Sequence, residues 1–241
     1  MGNTNIIFAD LSTYTPKETI AFYESVFDWK YYEDNGYYLA YKGNNAVTGL
    51  YETPDKFKQM QMPHFWMTYI QVDDINRTVE KAKALGGIIE MRDDNNSIGS
   101  VALIRDTQGA GFTVYQGEKL QNTRTKNEIN TLIWNELHVS AIDIVIPFYS
   151  EIFDWTFNED KKDHYQIFND QNEHIADALQ IPNEYKGKYE YWVCTFGVND
   201  LKVTSNKIIN NGGSIVMDEG KRILFTDNSG QAFFYIAEML N

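Results

Sequence analysis

Residues 22–29 read FYESVFDW, and residues 148–155 read FYSEIFDW. The second run begins 126 residues after the first, since 148 − 22 = 126. The same spacing joins Trp66 to Trp192 and the glycine pair at 86–87 to the pair at 212–213. A constant spacing over so many matches indicates that the chain is a duplication with two homologous halves.

The second half is shorter than the first at one place. Asp106 corresponds to Asp227 at a spacing of only 227 − 106 = 121 residues, so we expect a shortened hairpin before Asp227. A length of 241 residues suits two domains of about 120 residues each. The predicted domains are 1–118 and 129–241, joined by a polar, aperiodic linker at 119–128.

Each half reads as two units of strand, helix and three strands, which predicts an α+β fold. The first helix is expected to begin at Pro16, because proline suits the first helical position. Asp73 or Asp74 is expected to cap the second helix, and the glycine pair at 86–87 to end it. Pro147 lacks a backbone donor, so the third helix is expected to begin late, with Pro147 in its first turn.

Composition excludes several classes of protein. The net charge of −13 argues against nucleic acid or an anionic membrane as partner, because both attract clustered cations. The single cysteine, Cys194, excludes an intrachain disulfide and a thiolate zinc cluster, and we expect it to fill space under a helix. The chain has no long apolar run and its first residues do not resemble a signal peptide, so we expect a soluble, cytoplasmic protein.

The repeated motif resembles a known family pattern. Residues 22–29 are close to the F-Y-x-x-v-F-G-W of the vicinal oxygen chelate superfamily, and residues 106–110 to its D-P-x-G-A. Asp28 and Asp154 replace the usual glycine, and Thr107 the usual proline. This superfamily includes glyoxalase I, bleomycin-resistance proteins and extradiol dioxygenases. The resemblance implies two tandem vicinal-oxygen-chelate domains, each made of two βαβββ units that form a curled sheet cup.

In that fold, helices cover the convex face of the sheet and ligands occupy the concave face. Alternation along each strand assigns side chains to the two faces. The residues expected to line the cups and bind a ligand are Phe8, Asp10, Met67, Tyr69, Thr113, Tyr115, Trp134, Glu136, His138, Thr195 and Phe234.

The resemblance also implies where a metal would be bound. The corresponding positions are Phe8 and Trp134, Met67 and Val193, Thr113 and Phe234, and places within 49–51 and 178–180. Divalent metals need three or four nitrogen, oxygen or sulfur donors, which these residues do not supply. We therefore predict no metal and no cofactor, and we do not expect metal-dependent glyoxalase or dioxygenase activity.

The second half offers one alternative metal site. Glu136 and His138 lie two residues apart, so their side chains share a face of one strand, and His174 or Asp177 could join them. A structural role is the favoured interpretation, because the first half has Ser12 where the second has His138. The other histidines, His64, His164 and His174, lie among loop-like residues and are expected to be solvated.

The informative carboxylates are Asp10 and Glu136, which occupy the same position in the two halves. Either one would orient a ligand or act as a general base in an aromatic cup. The first hypothesis is a metal-independent protein that binds or sequesters a small aromatic or amphipathic molecule. The alternatives are a lyase or isomerase that uses Asp10 or Glu136, and a catalytically silent structural or stress protein. The expected assembly is a monomer with an internal pseudo-twofold axis or a weak homodimer.

Overall fold

The computed structural model describes residues 4–96, 98–125, 128–184, 186–187 and 190–239. Residues 1–3 of the first predicted domain, residues 240–241 of the second and positions 126–127 of the predicted linker lie outside the described residues. Among the helices described, none is long and apolar enough to cross a membrane.

The two halves have nearly the same order of elements. The first half contains β1 (Asn5–Thr13), α1 (Pro16–Phe27), β2 (Lys30–Asp34), β3 (Tyr37–Lys42), β4 (Asn45–Glu52), α2 (Asp55–Gln59), β5 (Phe65–Gln71), α3 (Ile75–Ala84), β6 (Ile88–Asp93), β7 (Ser100–Arg105) and β8 (Gly111–Gln116). The second contains β9 (Leu132–Val139), α4 (Ile142–Phe153), β10 (Thr156–Lys161), β11 (His164–Phe168), β12 (His174–Gln180), β13 (Tyr191–Val198), α5 (Leu201–Asn210), β14 (Ser214–Asp218), β15 (Arg222–Thr226) and β16 (Phe233–Glu238).

The strands form two eight-stranded sheets with the same topology. Their orders are β2-β3-β4-β1-β5-β8-β7-β6 and β10-β11-β12-β9-β13-β16-β15-β14. In both sheets the first strand of a βαβββ unit runs parallel to the last strand of that unit. The duplicated α+β fold predicted from the sequence is thereby confirmed. The expected deletion lies in the hairpin between β14 and β15, whose loop, 219–221, is shorter than the loop 94–99.

Helix boundaries follow local signals with one exception. α1 begins at Pro16 as predicted, and the Asp74 side chain caps α3 by accepting a hydrogen bond from the backbone N–H of Arg77. Asp28, which ends α1, has a left-handed backbone with φ 57°, a conformation that suits the glycine of the family pattern that residues 22–29 resemble. The late start expected for α4 is wrong, because Pro147 lies inside that helix. Pro147 is exposed, so water can bond the carbonyl that it leaves without a helical donor.

The chain divides into two compact units that do not follow its two halves. The first comprises Thr68–Asn122 and Asn135–Val193 together with the chain up to Ile7, and the second comprises Phe8–Met67, Thr123–Trp134 and Cys194–Asn241. The domain boundaries drawn from the repeat therefore stay a prediction.

The core of the first unit lies beneath α3 and α4. Its buried centre is Tyr149, whose hydroxyl accepts a hydrogen bond from Trp192 Nε1 at 3.0 Å and donates one to Asp106 Oδ2 at 3.1 Å. Burial raises the pKa of Tyr149 well above its usual value and also raises the pKa of Asp106. These groups therefore join α4 to the Asp106 turn through hydrogen bonds that are shielded from water.

The core of the second unit lies beneath α1 and α5. Trp66 Nε1 donates to the Tyr23 hydroxyl at 3.1 Å, which repeats the Trp192–Tyr149 pair of the first unit. Cys194 is fully buried in this core, as predicted. The aromatic residues of the repeated motif thus build the cores beneath the helices.

The predicted orientation of Phe234 is wrong. Phe234 packs beneath α1, with its ring centroid 5.8 Å from that of Tyr23, and Ile236 lies in the same core. The turn before β16 is one residue longer than its counterpart, because Asp106 N bonds Ala110 O whereas Asp227 N bonds Ala232 O. One inserted residue moves every later side chain to the other face of a strand. The strand position opposite Thr195 is therefore occupied by Tyr235.

Candidate functional site

The second half brings a carboxylate and an imidazole together on β9. Leu137 and Val139 pack in the core beneath α4, so the alternate residues of the strand face the other way. Those residues are Glu136 and His138, which are 1% and 5% exposed at their side chains. His138 Nε2 lies 2.5 Å from Glu136 Oε1, so a hydrogen bond joins the pair that the sequence placed together.

Two neighbouring strands add a second imidazole and a second carboxylate. Asp177 on β12 is the register partner of Glu136. His164, the first residue of β11, places its Nε2 3.9 Å from Glu136 Oε2. Ligand atoms of Glu136, His164 and Asp177 all lie within 4.8 Å of one another. Because all three types of side chain bind divalent metals, this arrangement is suited to holding an ion.

Each of these three residues is also held by a second partner. His164 Nδ1 lies 2.5 Å from Asp160 Oδ1, and that hydrogen bond lowers the pKa of Asp160. A carboxylate only accepts hydrogen bonds, so the shared proton belongs to Nδ1 and the lone pair of a neutral ring belongs to Nε2. His174 Nε2 lies 2.8 Å from Asp177 Oδ1. Three imidazole–carboxylate pairs therefore form one group, the Glu136 cluster: Glu136, His138, Asp160, His164, His174 and Asp177.

Aromatic rings flank the Glu136 cluster. The ring of Tyr191 lies 5.1 Å from that of His138, and the ring of Phe168 is stacked on His174 at 5.1 Å. Exposure increases outward, from 1% for Glu136 to 12% for His164 and 34% for His174. The cluster is thus reached from the side of His164 and His174, with Glu136 at its inner end.

The equivalent place in the first half is filled by tyrosines. Asp10 is fully buried, and Tyr37 donates its hydroxyl hydrogen to Asp10 Oδ2 at 3.1 Å. The Tyr37 ring is stacked on Tyr51, with 6.3 Å between centroids. Burial, and then the charge of Asp10, raises the pKa of both tyrosines above the usual value of 10, so both keep their protons. The hydroxyl of Tyr37 therefore covers the carboxylate that the sequence proposed as a catalytic candidate.

A glycine makes this closure possible. Gly49 is the register partner of Asp10, and a Cβ added to it would lie 1.9 Å from the Tyr37 hydroxyl oxygen. The second half has Asp177 at the position of Gly49 and His164 at the position of Tyr37, as the strand pairing shows. Equivalent positions thus carry a closed tyrosine contact in one half and the Glu136 cluster in the other.

The remaining predicted ligand residues have varied surroundings. Tyr69 and Thr113 are register partners on β5 and β8. The hydroxyl of Tyr115 donates to Ile98 O and accepts from the backbone N–H groups of Lys119 and Leu120, which gives it a structural role. The ring of Trp134 is covered by the guanidinium of Arg124 at 5.0 Å. Three more of the predicted residues are buried: Phe8, Met67 and Thr195.

Three histidines differ from their predicted surroundings. His64 was expected to be solvated, but it is buried, and its Nδ1 lies 2.9 Å from Thr13 Oγ1. Burial lowers the pKa of His64 below its usual value. His174 and His164 were expected among loop-like residues, but they begin the strands β12 and β11. The repeat does not reveal the role of His164 because the first half has a tyrosine there, and only the strand register shows the correspondence.

The metal positions implied by the family pattern do not fit a metal in this chain. β1 and β9 have Phe8 and Trp134 there, and β5 and β13 have Met67 and Val193. With the register corrected, the last pair of positions holds Thr113 and Tyr235. The Tyr235 hydroxyl already donates a hydrogen bond to Glu219 at 2.9 Å. Apolar rings, a thioether and a tyrosine hydroxyl that is hydrogen-bonded elsewhere do not provide the donors that a divalent ion needs.

Comparison with known proteins agrees with this architecture. Residues 7–114 match the family model "Glyoxalase/Bleomycin resistance protein/Dioxygenase superfamily". A protein of Mycobacterium bovis named "Putative glyoxylase CFP32" is 27% identical over 243 residues, which cover 94% of this chain and 92% of the relative. The "Anthracycline biosynthesis protein DnrV" of Streptomyces peucetius is 23% identical over 185 residues, covering 73% of this chain and 66% of the relative.

Solved structures share the fold at low sequence identity. The 2,3-dioxygenase LapB from Pseudomonas sp. KL28 has a TM-score of 0.65 at 13% identity, covering 99% of this chain and 93% of its own. The Mn(II)-bound glyoxalase from Novosphingobium aromaticivorans has a TM-score of 0.66 at 12% identity, covering 99% of this chain and 83% of its own. Residues 7–114 are therefore similar to the glyoxalase, bleomycin resistance protein and dioxygenase superfamily, and the second half of the chain repeats their fold.

Proposed function

We propose that this glyoxalase-like protein binds a small hydroxylated molecule, aromatic or amphipathic, at the Glu136 cluster of its second half. The observation that carries the proposal is the contrast between equivalent positions. In the first half Asp10 accepts a hydrogen bond from the protein's own Tyr37, whereas in the second half Glu136 faces His164 across 3.9 Å. A ligand hydroxyl at Glu136 would take the role that the Tyr37 hydroxyl has at Asp10.

The chemistry of the Glu136 cluster suits such a ligand. Carboxylates accept hydrogen bonds from hydroxyl groups, and imidazoles both donate and accept them. His174 and His164 form the more exposed side of the cluster, so a ligand entering there meets polar groups before it reaches Glu136. The neighbouring rings of Tyr191 and Phe168 provide apolar surface for an aromatic body.

The named relatives are consistent with a ligand of this class. The Streptomyces relatives are named as anthracycline biosynthesis proteins, and one structure with the same fold is a dioxygenase complexed with 3,4-dihydroxyphenylacetate. These names belong to those proteins, and they guide the choice of a probe. 3,4-Dihydroxyphenylacetate carries an aromatic ring, two hydroxyl groups and a carboxylate, so it is a suitable probe.

The test is calorimetric titration of the probe in the presence of a metal chelator, so that only side chains of the chain take part. Wild type should bind the probe. Glu136→Gln should raise the dissociation constant at least about tenfold, which corresponds to a loss of about 1.4 kcal/mol of binding free energy. The matched control is Asp10→Asn, which should bind like wild type because Tyr37 already covers Asp10. No binding by wild type, or a loss in Asp10→Asn alone, would refute the proposal.

A second candidate function is a lyase or isomerase with Glu136 as the general base. The observation that favours this function is the 2.5 Å contact between His138 Nε2 and Glu136 Oε1. The imidazole would orient the carboxylate that accepts a proton from the ligand. The discriminating result is turnover of a bound ligand that disappears in Glu136→Gln while binding of that ligand is partly kept. Equal turnover in wild type and Glu136→Gln would exclude this role.

A further inference from the structure

We infer that Glu136, His164 and Asp177 form a binding site for one divalent transition-metal ion, at a place other than the family's metal positions. This inference rests on the proposed function, because it assigns a metal ion to the same Glu136 cluster. Ligand atoms of the three residues lie within 4.8 Å of one another, and Glu136 Oε2 is 3.9 Å from His164 Nε2. Two donors bound at about 2.1 Å in a tetrahedral site lie about 3.4 Å apart, so small side-chain movements complete the geometry.

The second contacts of these residues orient them as metal ligands. His138 bonds Glu136 through Oε1, and Oε2 is the oxygen nearer to His164. Asp160 holds the Nδ1 of His164, so Nε2 is the nitrogen that a metal would meet. Metal-binding histidines commonly have such a carboxylate on the other ring nitrogen, where it fixes the tautomer and the ring orientation.

The third ligand is oriented in the same way. His174 bonds Asp177 at Oδ1, so an imidazole supports this carboxylate as His138 supports Glu136. A supporting partner on every proposed ligand is what distinguishes a prepared site from a chance group of charged side chains.

The charge and type of the donors indicate which ions would bind. Two carboxylates balance the two positive charges of the ion, and one imidazole favours Zn²⁺ or Co²⁺ over Mg²⁺ and Ca²⁺, which prefer oxygen ligands alone. Three protein ligands would leave a coordination position for water or for a ligand hydroxyl.

The position of the site differs from the pattern of the superfamily. It uses β9, β11 and β12 of a single βαβββ unit, and its β9 residue lies two positions beyond Trp134. The first half lacks the set, because Asp10, Tyr37 and Gly49 occupy the equivalent positions. The repeat therefore supplies an internal control: one ion should bind per chain, in the second half.

The test uses the full chain and the metal alone, without an organic ligand. After chelation and dialysis, the protein is titrated with Zn²⁺ by calorimetry, and Co²⁺ is added separately to record visible absorption. Wild type should bind one equivalent, show Co²⁺ d–d bands and unfold at a higher temperature with Zn²⁺ than without it. His164→Gln and Asp177→Asn should each weaken Zn²⁺ binding more than 100-fold, and Asp160→Asn, a positioning variant, about 10- to 100-fold.

The matched control is His64→Gln, which removes a buried imidazole hydrogen-bonded to Thr13 and should leave Zn²⁺ binding unchanged. Circular dichroism identifies any variant that has lost its fold. If His164→Gln or Asp177→Asn is unfolded, the folded one of the two is compared with wild type. Less than half an equivalent in wild type, or a full equivalent in both His164→Gln and Asp177→Asn, would overturn the metal site. Zn²⁺ binding without probe binding would overturn only the proposed function, and probe binding in chelator without Zn²⁺ binding would overturn only the metal site.

Discussion

Replacing Tyr37 by phenylalanine is the sharpest test of closure in the first half. The substitution removes only the hydroxyl that donates to Asp10 Oδ2 at 3.1 Å and keeps the ring that stacks on Tyr51. A hydrogen bond to a charged group contributes about 1.5–3 kcal/mol to stability. We therefore expect Tyr37→Phe to lower the free energy of unfolding by about 2 kcal/mol and the melting temperature by about 4–8 °C for a chain of this size.

The assay is urea unfolding followed by tryptophan fluorescence, with calorimetry for the melting temperature. Tyr32→Phe is the matched control, because Tyr32 is 65% exposed and loss of its hydroxyl should change stability by less than about 0.5 kcal/mol. Equal stability of the two variants would show that the Tyr37 hydroxyl does not close the site over Asp10. Binding of a ligand in the second half should be the same in Tyr37→Phe and in wild type.

Three further substitutions test other contacts. Gly49→Ala places a methyl group 1.9 Å from the Tyr37 hydroxyl oxygen, so denaturation should show a loss of stability of about 1–3 kcal/mol. The loss should be smaller in a Tyr37→Ala background, where only the 2.9 Å contact with Asp10 Cβ remains. Tyr149→Phe should cost about 2 kcal/mol or more, because it leaves buried Trp192 Nε1 and Asp106 Oδ2 without this hydroxyl; a change below 0.5 kcal/mol would contradict the core described. Burial lowers the pKa of His64 from 6.5, so the folded chain takes up a proton there less readily than the unfolded chain. The neutral His64 ring therefore contributes stability above about pH 6.5, and this contribution declines as the pH falls below that value. Between pH 7 and 5, the free energy of unfolding should fall more steeply in wild type than in His64→Gln.

Much of the fold could be predicted because the repeat supplies long-range information. The match between residues 22–29 and 148–155 correctly predicted that the two halves share one order of elements. Pro16 and Asp74 correctly marked the starts of two helices, because proline suits the first helical position and an aspartate side chain caps the helix N-terminus. The packing of α3 against α4 and of α1 against α5 had no such signal, because it joins helices that are distant in sequence.

The candidate site was predicted in part. Glu136 and His138 could be placed together because residues two apart share one face of a strand. His164 follows Glu136 by 164 − 136 = 28 residues, whereas Tyr37 follows Asp10 by 37 − 10 = 27, so a fixed repeat spacing misses the match. Phe234 was misplaced for the same reason, since a single inserted residue reverses the face of every side chain after it.

A crystal structure of the protein grown with 3,4-dihydroxyphenylacetate would show whether the second half binds the ligand while the first half stays closed. We predict density for the probe within hydrogen-bond distance of Glu136, His164 or His174, with the Tyr37 hydroxyl still on Asp10. Probe density against Asp10, with Tyr37 displaced and the Glu136 cluster without probe, would show instead that the ligand site lies in the first half.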